Sequence, residues 1–367
     1  MRVSFATTWD SKCGVANYSR SLVTALKKHA DVEVVSLDPE NMTSPVRLAG
    51  ALNAGDIAHI QHQYPFFGGM AFHRNWLRHI LRRLVVPLVV TVHELDLGES
   101  DSPLVRTYKR WFNRSLFNAM EVDRILVHTD EYQEKLEGLG IETDRIEVIP
   151  MGVPELPPPP IASRIAKVRL GLTGKKVVTI FGFVVRRKGY EVALDSLRKW
   201  PPDTVLLIAG GPHPGDHTGY FDGLKERIAS SGLSERVLVS GYLPEDDIPT
   251  IMAATDLVLA PFTSMSSSWS IMHAMAYGKP IVASDLRPAR EINSRLPCLS
   301  LFKVADQFDL AEKVCELMED KRKYDIAVSA VKAYADMWSV DRAAEDTLAI
   351  YNQLLKDMES CAQSSLE

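Results

Sequence analysis

Short runs of aliphatic and β-branched residues alternate with helical stripes along almost the whole chain, and this alternation constrains the fold more than any other feature. One stripe, Val15, Tyr18, Leu22 and Leu26, recurs at helical spacing. The predicted strands are Val3–Thr7, Val32–Ser36, Ile57–Ile60, Leu88–His93, Arg124–His128, Arg145–Ile149, Lys176–Phe181, Thr204–Ala209, Arg236–Ser240, Leu257–Ala260, Pro280–Ala283 and Leu299–Phe302. Parallel strands with helices on both faces produce such a pattern. The sequence therefore predicts an α/β fold.

A run of prolines divides the alternation into two halves. The segment Pro157–Pro160 contains proline alone, which cannot donate hydrogen bonds to a sheet and favours a stiff extended chain. We therefore predict two Rossmann-like, doubly wound domains facing a cleft, the first at residues 1–155 and the second at residues 161–339. One further amphipathic helix is predicted at about 340–358.

The composition is that of an ordinary globular protein. Of the 367 residues, 46% are apolar and 24% are charged, which excludes a disordered chain and a collagen-like fibre. The net charge of −5 argues against a nucleic-acid partner. The four scattered cysteines indicate neither a disulfide framework nor a metal site. Because no apolar run reaches the ~18 residues of a membrane span and the start lacks a signal-peptide core, we expect a cytoplasmic protein.

The loop after the first predicted strand carries a glycine, Gly14, at the start of a helix. A glycine lets a ligand approach the backbone, and a helix N-terminus attracts an anion. The pattern is neither GxGxxG nor a P-loop, so it does not indicate a dinucleotide or ATP site. A purely structural turn is the alternative.

Two loops in the second half combine glycines, cations and serines. The first holds Arg186, Arg187 and Lys188 between glycines, and arginine and lysine both bind phosphate oxygens. The second places Ser267 and Ser268 at a helix start, where free N–H groups can be capped or can hold a phosphate. Two such loops in one domain predict a diphosphate ligand. A solvated basic loop and ordinary helix capping are the alternatives.

A series of short motifs occurs in one order along the chain. They are CGVA at 13–16, VTVH at 90–93, VIPMGV at 148–153, the loop at 181–189, IAGGP at 208–212, VSGYLP at 239–244 and AMAYGKPIVAS at 274–284. In these motifs the chain resembles the retaining GT-B glycosyltransferases of the large group 4 family, the glycosyl transferases group 1. That family includes bacterial mannosyl- and glucosyltransferases of cell-envelope synthesis.

The resemblance implies a role for particular residues and for each domain. The second domain would bind a nucleotide-sugar, and the first would bind the acceptor and receive the terminal helix. The donor diphosphate would be bound by Gly14, Arg186, Arg187, Lys188, Ser267, Ser268 and Trp269. The nucleoside would be bound by Gly211, Tyr242, Leu243 and His273. His93 would lie beside the transferred sugar as the catalytic residue.

The sequence departs from the family pattern at three positions. Family members carry two glutamates, eight positions apart, before the Ala-Met-Ala motif, where this chain has Met265 and His273. An arginine often follows the first glycine of the phosphate loop, where this chain has Phe183. Because a neutral imidazole offers one acceptor and one donor, we expect His273 to bind one ribose hydroxyl. A space-filling role for His273 is the alternative.

The resemblance implies that the protein is a hexosyltransferase. It would move a hexose-type sugar from a nucleotide-sugar to a glycan or lipid-linked acceptor in cell-envelope polysaccharide or glycolipid synthesis. The donor would be a UDP-sugar or a GDP-sugar, and the sequence does not distinguish between them. We expect no cofactor and no metal, because no DxD motif is present and cations with helix N-termini would stabilise the leaving group. A non-catalytic GT-B-like partner subunit and a nucleotide-sugar epimerase are the alternatives.

A basic stretch in the first half predicts contact with an anionic membrane at its inner face. Residues 72–84 contain no acid, and Arg74, Arg78 and Arg82 recur at helical spacing opposite an apolar stripe. The basic bias continues at Arg106, Lys109, Arg110 and Arg114. A solvated helix face is the alternative.

Overall fold

The computed structural model describes residues 1–11, 13–38, 44–119, 121–213 and 218–364. The chain divides into two compact units. The first unit comprises Met1–Gly152 together with Trp338–Glu367, and the second comprises Val153–Met337.

The first unit is built on a six-stranded parallel sheet with the strand order β2-β1-β3-β4-β5-β6. Its strands are β1 (Arg2–Thr7), β2 (Asp31–Ser36), β3 (Ile57–His62), β4 (Leu88–Val92), β5 (Arg124–Val127) and β6 (Ile146–Val148). Its helices are α1 (Gly14–Leu26), α2 (Pro45–Leu52), α3 (Leu77–Leu81), α4 (Pro103–Phe117) and α5 (Asp130–Glu137). In the register, Gln61 of β3 lies opposite Thr91 of β4.

The second unit repeats this architecture with the strand order β12-β11-β10-β7-β8-β9, again all parallel. Its strands are β7 (Lys176–Phe181), β8 (Thr204–Ala209), β9 (Val237–Val239), β10 (Leu257–Ala260), β11 (Ile281–Ser284) and β12 (Leu299–Phe302). Its helices are α6 (Ser163–Arg169), α7 (Tyr190–Leu197), α8 (Tyr220–Ser230), α9 (Ile248–Ala254), α10 (Trp269–Ala276), α11 (Arg287–Arg295), α12 (Gln307–Glu319) and α13 (Lys321–Met337).

The last helix, α14 (Val340–Ser364), belongs to the first unit. It packs against α1, and Lys28 donates to the Asp341 carboxylate at 2.7 Å. Farther along α14, the fully buried Tyr351 hydroxyl hydrogen-bonds to Nδ1 of His59 on β3. The helix therefore contributes a polar side chain to the interior of the first unit. Among the described residues, none of the helices has the length and apolar character required to traverse a bilayer.

The α/β prediction is confirmed, and every predicted strand forms with its ends shifted by no more than two residues. The expected helical spacing across the basic stretch is wrong, because α3 covers only Leu77–Leu81. The preceding segment folds back instead: the backbone N–H of Trp76 donates to the carbonyl of Phe67 at 3.1 Å. Gly68 permits this turn with a φ of +82°, since a Cβ there would lie 2.2 Å from the Arg74 carbonyl oxygen.

Candidate functional site

The loops after β7 and β10 lie where the strand order of the second sheet reverses. β7 pairs with β8 on one side and with β10 on the other, so the chain continues toward one edge of the sheet after β7 and toward the other edge after β10. Open α/β sheets bind ligands beyond the carboxyl ends of their strands at such a point. The predicted diphosphate residues of the second half belong to these two loops.

Backbone contacts join the two loops. The N–H of Thr263 donates to the carbonyl of Arg187 at 2.8 Å. Gly189 has a φ of +66°, and a Cβ there would lie 1.9 Å from the carbonyl oxygen of Pro261. Glycine is therefore required at position 189, where it brings the basic turn Arg186–Lys188 against the loop that leads to α10.

Lys188 is the buried cation of this site, with 6% of its surface exposed. Its Nζ donates to the carbonyl oxygen of Phe181 and lies 5.7 Å from the ring centroid of Phe262. Burial, together with the neighbouring charge of Arg187, lowers the pKa of Lys188 to about 7. A buried ammonium is costly without a counter-charge, so this position favours an anionic ligand.

The start of α10 approaches the same point. A Cβ on Gly182 would lie 2.7 Å from Nζ of Lys188 and 3.9 Å from Cβ of Ser270. Ser268 is the N-cap of α10, where its Oγ accepts from the N–H of Ile271 at 3.4 Å and hydrogen-bonds to the Ser270 hydroxyl at 2.9 Å. Ser267 and Trp269 flank this cap. A buried amine and a helix N-terminus thus converge beside a glycine.

The two arginines of the basic turn are exposed, in contrast to Lys188. The Arg186 guanidinium lies over the ring of Tyr220 on α8, 4.9 Å from its centroid. The hydroxyl of Tyr220 donates to the Glu191 carboxylate at 2.9 Å. Arg187 lies close enough to Lys188 for its charge to lower the pKa of the lysine. Of the three predicted cations, Lys188 is the one enclosed at the strand end.

Three of the predicted nucleoside residues lie together. A Cβ on Gly211 would lie 2.8 Å from the backbone nitrogen of Tyr242, so the loops after β8 and β9 are in close contact there. Leu243 packs against the apolar cluster that includes Leu207, while the Tyr242 side chain is 46% exposed. The carbonyl of Gly211 also accepts from the N–H of Val184, which joins this region to the loop after β7.

His273 lies among aromatic rings. Its ring centroid is 5.7 Å from that of Phe181, 5.8 Å from that of Trp269 and 6.1 Å from that of Tyr277. Burial lowers the pKa of His273 to about 4, so its imidazole is neutral at physiological pH. In the described part of the chain, its buried Nδ1 has no hydrogen-bond partner. Phe181 links His273 to Lys188, because its ring contacts the imidazole and its carbonyl accepts from the ammonium.

The remaining two predicted site residues, Gly14 and His93, belong to the first unit. Gly14 is exposed and begins α1, directly after the N-cap Cys13, whose Sγ accepts from the N–H of Ala16 at 3.3 Å. β1 lies between β2 and β3, so the loop that precedes α1 leaves the first sheet at its own point of reversal.

His93 follows β4 and is buried. Its Nε2 donates to Oε1 of Gln61 at 2.7 Å, and its ring lies 5.4 Å from that of Tyr18 and 5.1 Å from that of His128. Burial, and then the nearby imidazole of His128, lower the pKa of His93 well below its ordinary value. His93 is therefore a neutral imidazole that can accept or donate a hydrogen bond.

The sequence analysis missed the polar neighbours of His93. His59 and Gln61 lie two residues apart on β3. His128 directly follows β5, and its Nδ1 donates to the carbonyl of Ile149 at 2.9 Å. Parallel strands buried on both faces are nearly always apolar, so two polar residues at strand spacing were a usable signal. Within the described chain, no three His, Cys, Asp or Glu side chains are grouped as a metal site would require. The absence of a metal stays a prediction.

Comparisons with known proteins identify both halves. Residues 164–333 match the family Glycosyl transferases group 1, and residues 38–155 match Glycosyltransferase Family 4. The 2-deoxystreptamine glucosyltransferase of Streptomyces kanamyceticus is 26% identical over 300 residues, which cover 75% of this chain and 73% of that protein. The D-inositol 3-phosphate glycosyltransferase of Nocardia farcinica is 32% identical over 214 residues, or 55% of this chain. The match spans only 47% of the Nocardia protein.

Solved structures match over almost the whole chain. Anabaena Alr3699/HepE in complex with UDP and glucose aligns with a TM-score of 0.78 and 20% identity, covering 96% of this chain and all of that one. WaaG, a glycosyltransferase involved in lipopolysaccharide biosynthesis, aligns with a TM-score of 0.68 and 16% identity over 95% of this chain and 99% of that one. At these identities the structures establish the fold. Residues 164–333 are therefore a Glycosyl transferases group 1 domain and residues 38–155 a Glycosyltransferase Family 4 domain, and the chain has the two-domain GT-B fold.

Proposed function

We propose that this protein transfers a hexose-type sugar from a nucleoside diphosphate sugar to a hydroxyl group of a glycan or lipid-linked acceptor, with retention at the anomeric carbon. The observation that carries the proposal is the buried ammonium of Lys188 beside the start of α10, at the strand reversal of the second sheet. The named relatives transfer sugars, and HepE has been solved with UDP and with UDP-glucose. A UDP-sugar is therefore the first donor to test.

The second unit would stabilise the leaving diphosphate. Negative charge grows on the diphosphate as the bond to the sugar breaks, and preorganised donors and cations stabilise such a transition state most effectively. Lys188 and the N–H groups at the start of α10, including Trp269, would supply them. Arg186 and Arg187 are exposed beside this point and would bind the outer phosphate oxygens. Gly211, Tyr242 and Leu243 would hold the nucleoside.

The first unit would position the sugar and the acceptor. His93 is neutral and buried, so it would bind a sugar hydroxyl without adding charge. Gly14, at the start of α1, would allow the backbone to approach the donor phosphates. In the retaining reaction as we propose it, the acceptor attacks from the side of the leaving group, and a phosphate oxygen takes the acceptor proton.

A surface of the first unit supports attachment to an anionic membrane. Leu104, Tyr108 and Trp111 lie along α4, and Phe72 packs beside them with its ring 5.4 Å from that of Trp111. All four are exposed, Leu104 by 84% and Trp111 by 49%, and we call them the aromatic patch. No acid occurs in α4, whose basic residues are Arg106, Lys109, Arg110 and Arg114. Lys109 is paired with Asp96 and Asp101, so among the described residues the other three supply the unpaired charge of the helix. Aromatic and aliphatic side chains flanked by cations favour the interface of an anionic bilayer.

The arginines of the basic stretch contribute unequally to this surface. Arg74 and Arg82 are exposed, whereas Arg78 turns inward, donates to Ser115 and stacks against Phe72. Arg78 therefore supports the aromatic patch rather than presenting its charge to lipid. A membrane-bound, lipid-linked acceptor would be presented to the first unit in this arrangement.

The experiment that tests the function is a donor screen with product analysis. UDP- and GDP-sugars are incubated with the protein with and without lipid-linked and soluble glycan acceptors, and the release of nucleoside diphosphate is measured. We expect acceptor-dependent release and a product whose anomeric configuration by NMR equals that of the donor. An epimerised donor without transfer would make the protein an epimerase. Donor binding without any turnover across the panel would make it a non-catalytic subunit, and an inverted anomer would refute retention.

A further inference from the structure

A line of hydrogen bonds runs through the interior of the first unit from α14 to His93. The Tyr351 hydroxyl bonds to Nδ1 of His59, and Nε2 of His59 lies 3.0 Å from the amide nitrogen of Gln61. Oε1 of Gln61 lies 2.7 Å from Nε2 of His93. Tyr351, His59 and Gln61 are fully buried. The two ends of the line, Tyr351 and His93, are 258 residues apart in sequence.

The Gln61 amide gives this line a direction. Its carbonyl oxygen can only accept, so Nε2 of His93 must carry a proton. Its amino group can only donate, so Nε2 of His59 must hold a lone pair, and the proton of His59 then lies on Nδ1 and is donated to Tyr351. The Thr91 hydroxyl also lies 2.7 Å from Nε2 of His59. Each imidazole is thereby assigned one tautomer.

The surroundings keep the line neutral. Tyr18 of α1 and His128 after β5 pack against the His93 ring, and His62 and His59 of β3 lie near enough to influence its charge. Each of these neighbours is an imidazole or a phenol, and burial lowers the pKa of His59 to about 3. A protonated imidazole would donate from both nitrogens and would break the direction of the line.

We propose that Gln61, supported by His59 and Tyr351, is a positioning residue that fixes His93 as the tautomer protonated on Nε2, so that Nδ1 can only accept. The terminal helix thereby helps to orient the candidate catalytic histidine. The benefit for sugar transfer rests on the proposed function, because it requires a substrate hydroxyl that donates to Nδ1. The tautomer itself is a property of the protein without substrate, so the two claims can fail separately.

The first test measures the tautomers directly. The full chain is labelled with ¹⁵N-histidine, and the ring nitrogens are correlated with their carbon-bound protons by NMR, His93 and His59 being assigned from the His93→Gln and His59→Gln spectra. We expect a proton on Nε2 of His93 and on Nδ1 of His59 in the unsubstituted protein. A His93 protonated on Nδ1 would mean that the line runs in the reverse direction and would overturn the proposal.

Two variants test whether Gln61 and Tyr351 impose the tautomer. Gln61→Leu removes both polar ends of the amide at similar volume, and Tyr351→Phe removes one hydroxyl at the far end of the line. We expect His93 in Gln61→Leu to show a mixture of tautomers, and His59 in Tyr351→Phe to keep its proton on Nδ1, because the Gln61 amino group still donates to its Nε2. An unchanged His93 in Gln61→Leu, or a His59 protonated on Nε2 in Tyr351→Phe, would overturn the assignment. If Gln61→Leu does not fold, the unsubstituted protein and Tyr351→Phe still decide the matter.

A third variant tests whether the hydrogen bond between residue 61 and His93 affects turnover. In Gln61→Glu a carboxylate accepts from Nε2 of His93 and raises its pKa. Since a protonated His93 has no lone pair on Nδ1, we expect kcat/KM to fall about tenfold for each pH unit below the raised pKa, within about pH 5.5 to 8. Gln353→Glu, exposed on α14, makes the same change as a control and should keep the pH profile of the unsubstituted protein. Identical profiles in the two variants would exclude a positioning role, whether or not the tautomers are as stated.

Discussion

In the second unit one buried polar group beyond the strand ends is an ammonium, Lys188, whereas in the first unit one such group is a neutral imidazole, His93. The ammonium of Lys188 donates a hydrogen bond to one carbonyl oxygen and lies beside an aromatic ring and a glycine. Nε2 of His93 is hydrogen-bonded to Gln61, in a line of hydrogen bonds that ends in α14. Among the described residues the ammonium is thus short of a counter-charge, whereas the imidazole is hydrogen-bonded within its own unit. The difference teaches that similar sheets can be specialised, one for an anion and the other for fixed hydrogen-bond geometry.

The largest expected effect is the loss of activity when Lys188 of the second unit is replaced. We expect Lys188→Ala to lower kcat/KM for the donor tenfold to hundredfold, because a charge-assisted hydrogen bond contributes roughly 1.5–3 kcal/mol. The fold should persist, since the substitution removes a buried charge. Steady-state kinetics together with the thermal midpoint measure both. Lys199→Ala, whose ammonium lies over Phe308 on the surface, is the matched control. Unchanged kinetics in a folded Lys188→Ala would remove the diphosphate assignment.

The next effect concerns the outer surface of the first unit. We expect Trp111→Ala to reduce the binding of the protein to anionic vesicles about fivefold, because it removes an interfacial aromatic side chain from the aromatic patch. Co-sedimentation at low salt measures the bound fraction. Phe308→Ala, an exposed aromatic of the second unit, is the control and should bind as the unsubstituted protein does. Equal losses in both variants, or no binding at all by the unsubstituted protein, would contradict membrane attachment through the first unit.

A smaller effect separates two roles for His273. If Nδ1 of His273, which has no hydrogen-bond partner among the described residues, contacts a ribose hydroxyl, His273→Ala should raise the donor KM several-fold, on the order of 1 kcal/mol for a neutral hydrogen bond. With a 2′,3′-dideoxy donor the difference between the two proteins should largely disappear, because the partner hydroxyl is missing in both. Equal losses with the two donors would show that His273 only fills space among Phe181, Trp269 and Tyr277.

The smallest expected effect is on the pH dependence of the first unit. Because burial holds the pKa of His93 far below its ordinary value, the imidazole stays neutral as the pH falls from 8 to 6. With saturating donor, kcat should therefore change less than about twofold over this range through His93. A steep loss of kcat that disappears in His93→Gln would show that His93 takes up a proton there, against the neutral role.

Sequence patterns predicted the sheets because parallel strands buried on both faces are nearly continuous apolar runs, such as Leu88–Val92. They also drew attention to Lys188, since a cation between glycines at a strand end is visible locally, and its binding of a diphosphate stays a prediction. The helical spacing expected across residues 72–84 was wrong because the chain folds back there, with the N–H of Trp76 donating to the carbonyl of Phe67. The line through Gln61 was missed because only the sheet register and the return of α14 bring its members together.

One measurement tests the central claim, that the second unit keeps a cation for the diphosphate of a nucleotide. Burial lowers the pKa of free Lys188 to about 7, and a bound diphosphate should raise it again. At pH 8, therefore, the binding of UDP should take up close to one proton, seen by titration calorimetry in buffers of different ionisation enthalpy. UDP affinity should also weaken as the pH rises above 7, and both effects should be absent in Lys188→Ala. Tight binding of UDP at pH 8 with no proton uptake would contradict the account.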